Sequence, residues 1–256
     1  MVDFVEAVKR PLKTDPVTVV LGIVFRAIPV LDAFVYGLGV DAARRTQQGK
    51  DSMPAFHDFV DAFFSGLMTY VIVILYFIPA LAVLGIGVVN SIPILASVFS
   101  NAISNPGMNP ALVAKGIIEL AINSVVFGAL TVFLGLMAAL MLPIAISFFS
   151  YRKKIGDAFL FGKILNVVAT AEYWVSTILL LAYAVVLVGL SAILSTLSGG
   201  ILFIPAQAAA GYLWLITAFT LYAETVRDSG ELRGMEGGWN SSSARAPARK
   251  FAHKRK

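Results

Sequence analysis

The chain has 256 residues, 58% of them hydrophobic and only 14% charged, with a mean hydropathy of +0.83. Soluble domains carry about 25% charged residues, so a chain this apolar could not cover its core with polar surface in water. Cysteine is absent, which excludes disulfides and thiolate ligands, and the net charge of +5 borders apolar runs, which argues against nucleic acid as a partner.

Lys and Arg gather around residues 9–13, 44–50, 152–163 and 227–256. Basic loops tend to stay on the cytoplasmic side, so these clusters orient the chain. In residues 1–16, Phe4, Val5, Val8 and Leu12 recur at helical spacing among acids and bases, the pattern of a short interfacial amphipathic helix. Asp15-Pro16 then reads as a helix start, with Asp15 as a cap and Pro16 at the first position.

The first apolar segment, residues 17–40, is interrupted by Arg26, Pro29 and Asp32. It is too long, and too charged in its middle, to be the apolar stretch of a signal peptide. As one helix it reaches about 36 Å and crosses a bilayer; broken at Pro29, each half reaches about 17 Å, roughly halfway in. On a continuous helix Arg26 and Asp32 point to different faces. In a re-entrant hairpin they lie at similar depth on opposite arms and can form an intramembrane polar pair. An unpaired charge in the membrane costs at least ~2.5 kcal/mol, so pairing has a physical motive.

Residues 41–54 are a polar loop, entered through Arg44-Arg45. Phe56, Phe59, Val60, Phe63, Phe64 and Leu67 follow at helical spacing, with His57, Asp58 and Asp61 between them, and predict an interfacial helix. Residues 68–89 read as a span bent at Pro79. Residues 90–116 hold one basic residue, Lys115, and are expected outside as a loop, with 92–99 along the interface. Residues 117–149 form one long span, with Gly135, Ala139 and Pro143 on a four-residue stripe. Residues 156–172 predict a second interfacial helix carrying Lys163, Asn166 and Thr170 on one face, before the belt residues Tyr173 and Trp174. Spans 175–197 and 201–223, joined by Ser198-Gly199-Gly200, form a tight antiparallel hairpin, with Gln207 inside the last. The basic tail, 227–256, is too polar and too like-charged to pack.

The expected fold is therefore an all-α polytopic membrane bundle. It has an interfacial segment at 1–16 and a membrane domain over 17–226, with four full spans plus the broken first segment. The C-terminus is cytoplasmic in the cell membrane. A weak internal repeat (apolar segment, basic pair, Phe-rich stretch, span) maps the first segment onto one that crosses. The charge rule instead favours the hairpin, which keeps Lys9, Arg10 and Lys13 inside.

Asp15-Pro16, Ile28-Pro29, Gly37-Leu38-Gly39 leading into Arg44-Arg45, Gly49-Lys50, Pro54, Asp58, Gly66-Leu67 and Pro79-Ala80 occur in an order that resembles a mainly archaeal family of small polytopic membrane proteins of unknown function. This resemblance covers residues 15–80; beyond them it is one of hydropathy. The family's more frequent Gly-Tyr is replaced here by Gly37-Leu38-Gly39. The architecture also looks like the membrane domain attached to some glycerophosphodiester phosphodiesterases. The resemblance implies a fold type and a compartment, and transfers no catalytic residues.

Chemistry is sparse. Of the two histidines, His253 is in the tail, and His57 with Asp58 and Asp61 reads as a solvated polar face rather than a metal site. No serine lies in a nucleophile-elbow pattern, no glycine-rich loop precedes a helix, and Glu119, Glu172 and Asp32 are isolated in sequence. No enzyme activity, cofactor or metal is expected. The expected role is a scaffold, accessory or lipid-organising subunit. Arg245, Arg249, Lys250, Lys254, Arg255 and Lys256 are the candidate contacts to anionic headgroups on the cytoplasmic side. A homo-oligomer or a membrane protein partner fits the same picture. The alternative is a small oligomeric transporter or channel using Arg26 and Asp32, with Glu119 and Asn123 as further intramembrane polar groups.

Overall fold

The computed structural model describes residues 3–50, 52–54, 59–104 and 110–232. In order they form α1 (Phe4–Lys9), a 3-10 turn (Arg10–Leu12), α2 (Pro16–Arg26), α3 (Asp32–Gln47), α4 (Phe59–Ser104), α5 (Pro110–Arg152), a second 3-10 turn (Ile155–Phe159), α6 (Phe161–Val168), α7 (Ala171–Leu197) and α8 (Phe203–Asp228). No strand occurs among the described residues. Helices α4, α5, α7 and α8 are each long and apolar enough to cross a membrane, so the chain is an all-α polytopic bundle.

The first apolar segment breaks. Proline carries no backbone N–H and pushes the residue before it out of the helical region, so Ile28-Pro29 interrupts the helix between α2 and α3. Pro16 occupies the first turn of α2; Asp15 stands at its cap position without a side-chain capping bond. Two contacts show that the chain doubles back. Near one end, the Arg10 guanidinium donates to the Thr46 hydroxyl. At the other end, Arg26 meets Asp32. Residues 10–46 are therefore an antiparallel hairpin with its tip at residues 27–31.

The depth of that tip is set by α8. The Arg227 guanidinium donates to the Thr46 carbonyl at 3.2 Å, while Arg26 lies against Gly211. These two levels are about 24 Å apart along α8, most of a ~30 Å hydrocarbon core.

The returning arm, α3, is the wedge of the fold. It packs against α4, α8, α5 and α2. Its sequence alternates small and apolar residues, and Ala33, Val35, Gly37, Leu38, Gly39, Val40, Ala42 and Ala43 are all buried. The α3–α4 crossing is backbone on backbone. A Cβ on Gly37 would collide with the Ala62 carbonyl, and one on Gly66 with the Ala33 carbonyl. Ala33 with Gly37, and Ala62 with Gly66, are thus reciprocal small-xxx-small pairs that let two helices touch directly. Gly39 likewise leaves room for the Phe219 ring, 2.8 Å from where its Cβ would stand. At the end of α3, the Gln47 amide donates to the Ser147 carbonyl at 2.7 Å and accepts from the Ser150 hydroxyl at 3.2 Å, which pins α3 to α5.

The core extends along α3 toward the tip: Val35, Leu38, Ile72, Ile144, Phe148, Phe149, Ile164, Ile216 and Leu221 are almost fully buried. Over half of the apolar stretch of α8 is inside the protein, far more than for α4, α5 or α7. That burial explains why α8 is the least hydrophobic of the four: most of it from Ala208 onward is wrapped by protein, and its exposed apolar face is confined to its start at Phe203 to Pro205.

Several elements differ from the sequence reading. Residues 59–67 do not form a separate interfacial helix but continue into α4. The expected loop at 90–116 is largely helical: α4 runs on through Pro79 and Pro93 to Ser104, and α5 begins at Pro110. At about 1.5 Å per residue these helices are ~65–70 Å long, beyond the 40–45 Å of a whole bilayer. A polar clasp holds their far halves together, the Asn123 amide donating to the Gly87 carbonyl at 3.1 Å and to the Ser91 hydroxyl at 2.8 Å. On the Gly135, Ala139 and Pro143 stripe, a Cβ on Gly135 would meet nothing and Ala139 is exposed, whereas Pro143 is half-buried and its carbonyl accepts from the Ser147 hydroxyl. Among the described residues 3–15, α1 and one 3-10 turn form; Val5 and Leu12 are exposed, whereas Ala7, Arg10 and Pro11 are buried. The stretch 156–172 is a 3-10 turn and α6, whose Lys163 and Asn166 donate to the backbone carbonyl and carboxylate of Glu231, at 2.9 and 3.1 Å. Thr170 instead caps α7, accepting from the Tyr173 N–H at 3.3 Å.

Because the α3–α4 crossing has no space for a side chain, Gly37→Val or Gly66→Val is expected to destabilise the protein by about 3 kcal/mol or more. Gly135→Val, on the outward stripe, should be neutral. Fluorescence-detected size exclusion of the three variants checks this: the first two should lose the monodisperse peak and the third should keep it.

Candidate functional site

The polar tip of the hairpin is the most unusual group of residues inside the bundle. The Arg26 guanidinium donates from one nitrogen to both Asp32 carboxylate oxygens, at 2.6 and 2.5 Å. The Tyr70 hydroxyl, on α4, donates to the same carboxylate at 3.1 Å. The guanidinium carbon lies 5.6 Å from the centre of the Tyr36 ring, and Tyr36 packs on Tyr70 at 5.0 Å between ring centres. Gly211 makes this possible from the α8 side, since a Cβ there would come within 2.9 Å of the Arg26 Nε. Phe25 and Phe34 meet across the two arms at 5.3 Å and close the apolar side of the tip.

The pair is not sealed. The side chains of Arg26 and Asp32 remain 22% and 16% exposed. They face a vestibule of about 630 Å³ bounded by the tip (Arg26, Ala27, Pro29, Asp32), by Ala184, Leu187 and Val188 of α7, and by the first half of α8 from Phe203 to Trp214. Its walls are apolar. Besides the ion pair, its principal polar group is Gln207, whose amide N–H₂ donates to the Ser191 hydroxyl at 3.0 Å and whose carbonyl has no hydrogen-bond partner among the described residues. Phe203 and Ile204, at the mouth, are exposed. Net charge in the vestibule is zero, so it offers donors and acceptors together rather than an attraction for one sign of ion.

Spacing singled out Arg26 and Asp32, and the fold brings them together. Tyr36, Tyr70, Gln207 and Gly211 complete the site, yet in sequence they are ordinary aromatic, amide and glycine residues of apolar helices. Gln207 alone stood out, as a polar side chain in a span. Other candidates are placed elsewhere. Glu119 is exposed beside Lys115, at 3.8 Å, and Asn123 belongs to the α4–α5 clasp. Asp61 pairs with Lys153, while His57 and Asp58 lie outside the described residues. The same holds for the tail cations Arg245, Arg249, Lys250, Lys254, Arg255 and Lys256. No group of three or more His, Asp or Glu side chains suited to a metal ion occurs among the described residues.

At the opposite end from the vestibule, the basic clusters converge. Arg10 reaches Thr46, Arg227 reaches the Thr46 carbonyl, and Lys153 bridges Asp41 at 2.9 Å and Asp61 at 2.5 Å. Lys153 does so from a left-handed backbone conformation, φ 55°, that ends α5 and turns its side chain back between α3 and α4.

A polytopic bundle with a broken, charged first segment is the class that these features define. The chain belongs to a family described as a protein of unknown function, DUF4013, whose model matches residues 20–197. The match therefore reaches well past the residues that carried the resemblance in sequence, taking in the hairpin from residue 20 and α3 to α7 and stopping before α8. No curated protein and no solved structure matches the chain.

Removing one member of the pair leaves the other charge at membrane depth without its partner. Asp32→Asn is expected to cost about 2–3 kcal/mol, less than for a fully buried pair because the site is partly open. Arg26→Met combined with Asp32→Asn should recover most of that loss, since the asparagine carbonyl still accepts from Tyr70. Thermal unfolding in detergent of the single and double variants tests this ordering.

Proposed function

We propose that the chain is a non-enzymatic integral membrane protein that organises lipid, holding an amphiphile in the vestibule at the hairpin tip. The observation that carries this reading is the vestibule's form. It has apolar walls, a floor of Arg26, Asp32 and Gln207 that hydrogen-bonds without net charge, and an exposed apolar mouth on α8. Its volume is in the range of sites that bury a small ligand, about 300–1,000 Å³. An acyl chain can lie along Leu187, Val188, Phe203 and Ile204 while its polar end meets the tip.

In this reading the hairpin is re-entrant. It enters from the basic end and returns there, and the positive-inside tendency makes that end cytoplasmic in a cell membrane. The outward faces of α4, α5 and α7 are lipid-facing or take up a further copy or a partner protein.

The second reading, a small oligomeric transporter or channel, is favoured by one observation: the ion pair stands on a broken segment at membrane depth and faces an open vestibule. The two readings separate in one experiment. Native mass spectrometry of wild type and of Ala184→Trp, which fills the vestibule from α7, should show a retained lipid in the first and its loss in the second. Identical lipid retention in both contradicts the lipid-holding reading. Solute flux into proteoliposomes that is abolished in a folded Arg26→Met/Asp32→Asn variant would establish the transporter instead.

A further inference from the structure

The geometry points to a second binding site, for a phosphate-bearing headgroup, in the basic basin at the end of α3. It goes beyond the vestibule reading: it uses different residues at the opposite end of the hairpin, and the two stand or fall separately.

The basin has a volume of about 620 Å³ and is bounded by Asp41, Arg44, Arg45, Gln48, Lys50 and Ser52. A specific turn builds it. Gly49 adopts φ 72°, the Gly49 N–H donates to the Thr46 carbonyl at 3.0 Å, and the Lys50 N–H donates to the Arg45 carbonyl at 2.9 Å. This is the Schellman arrangement, which closes a helix by returning the chain over its last turn. Lys50 is thereby brought back to the level of Arg44 and Arg45. Arg45 is fixed in place, its guanidinium donating to the Ser52 hydroxyl at 3.2 Å and to the Met53 carbonyl at 3.4 Å.

Among the described residues, the charge of the basin is not balanced. The one described acid on its rim, Asp41, is already held by Lys153 at 2.9 Å. Arg44 and Lys50 are exposed and have no acidic partner among the described residues. Nearby cations, by contrast, are engaged by the protein: Lys153 by Asp41 and Asp61, Arg227 by Glu224 and Asp228. A helix C-terminus is already favourable for one cation, so part of this charge is compensated by the α3 dipole. Three cations in one concave site, with Gln48 and Ser52 as further polar groups, exceed what a helix end requires.

Guanidinium groups bind phosphate through paired N–H donors, and lysine adds a point charge, so the basin fits a phosphate group. The level of the basin is that of Arg227, where α8 leaves its apolar stretch, which is the depth of lipid headgroups. The phosphate can be that of an anionic lipid or a free one.

Full-length protein, delipidated in detergent, is titrated with dioctanoyl phosphatidic acid, dioctanoyl phosphatidylcholine and inorganic phosphate, binding being read by calorimetry. Wild type is expected to bind phosphatidic acid more tightly than phosphatidylcholine. Arg44→Gln with Lys50→Gln should bind it about thirtyfold more weakly, two basic residues near an anionic surface being removed. Lys115→Gln, an exposed cation at the far end of α5, should bind as wild type. Should the double variant not fold, Arg44→Gln alone is read, with an expected loss of about fivefold. Preference for phosphatidic acid over inorganic phosphate assigns the site to a lipid headgroup; equal binding of the two assigns it to phosphate itself. Absence of binding by both phosphate probes, or equal binding of phosphatidic acid to wild type and the Arg44 variants, overturns the proposal.

Discussion

Two opposite charges six residues apart inside an apolar segment have to be neutralised before that segment can lie in lipid. Each would cost at least ~2.5 kcal/mol alone. On one straight helix Arg26 and Asp32 could not reach each other, so the break at Ile28-Pro29 and the ion pair imply one another. Once the chain has turned at residues 27–31, neither arm is long enough to cross, and the N-terminal segment returns to the level of Thr46. The returning arm, α3, is too polar and too short to face lipid by itself. It is stabilised by burial between α4, α5 and α8, and the small residues Ala33, Gly37, Ala62 and Gly66 set how closely it can be gripped. The low hydropathy of α8 follows in turn, because most of that helix beyond its exposed start is covered by α1, α2, α3, α5 and α7.

Much of this was legible in the sequence. The apolar runs mark the four membrane-capable helices, and Arg26, Pro29 and Asp32 mark the break, because charge and proline have large local costs that leave a visible trace. The glycines of the resemblance, Gly37, Gly39 and Gly66, were visible as a pattern, but their physical reason was not: the absent Cβ is a relation between two helices, with partners that lie 25 to 180 residues away in sequence. The long continuation of α4 and α5 was misread for a related cause. Pro93, Asn90 and the serines near it look like a loop to any local rule, whereas an antiparallel neighbour with Asn123 and Phe127 supplies the hydrogen bonds and packing that keep the region helical. Gln207 and Gly211 joined the site only because α8 runs past the tip.

The two ends of the hairpin differ in electrostatic character. The tip is neutral as a whole, with its charges satisfied by each other and by Tyr70, and it opens into an apolar vestibule. The base is strongly positive and gathers cations from all four basic regions of the sequence, at least one described member of each approaching the end of α3 or the C-terminal end of α8. A chain built this way has an apolar cleft with a neutral polar floor at one end of the hairpin and a basic basin at the other.

The central claim is that the first apolar segment returns to the side from which it enters. Because the chain has no cysteine, single cysteines at Leu12 and at Lys50 can be probed in sealed vesicles with a membrane-impermeant thiol reagent. The hairpin predicts that both positions are labelled from the same side and protected from the other. Labelling of the two positions from opposite sides would mean that residues 17–40 cross the membrane, and would contradict the account.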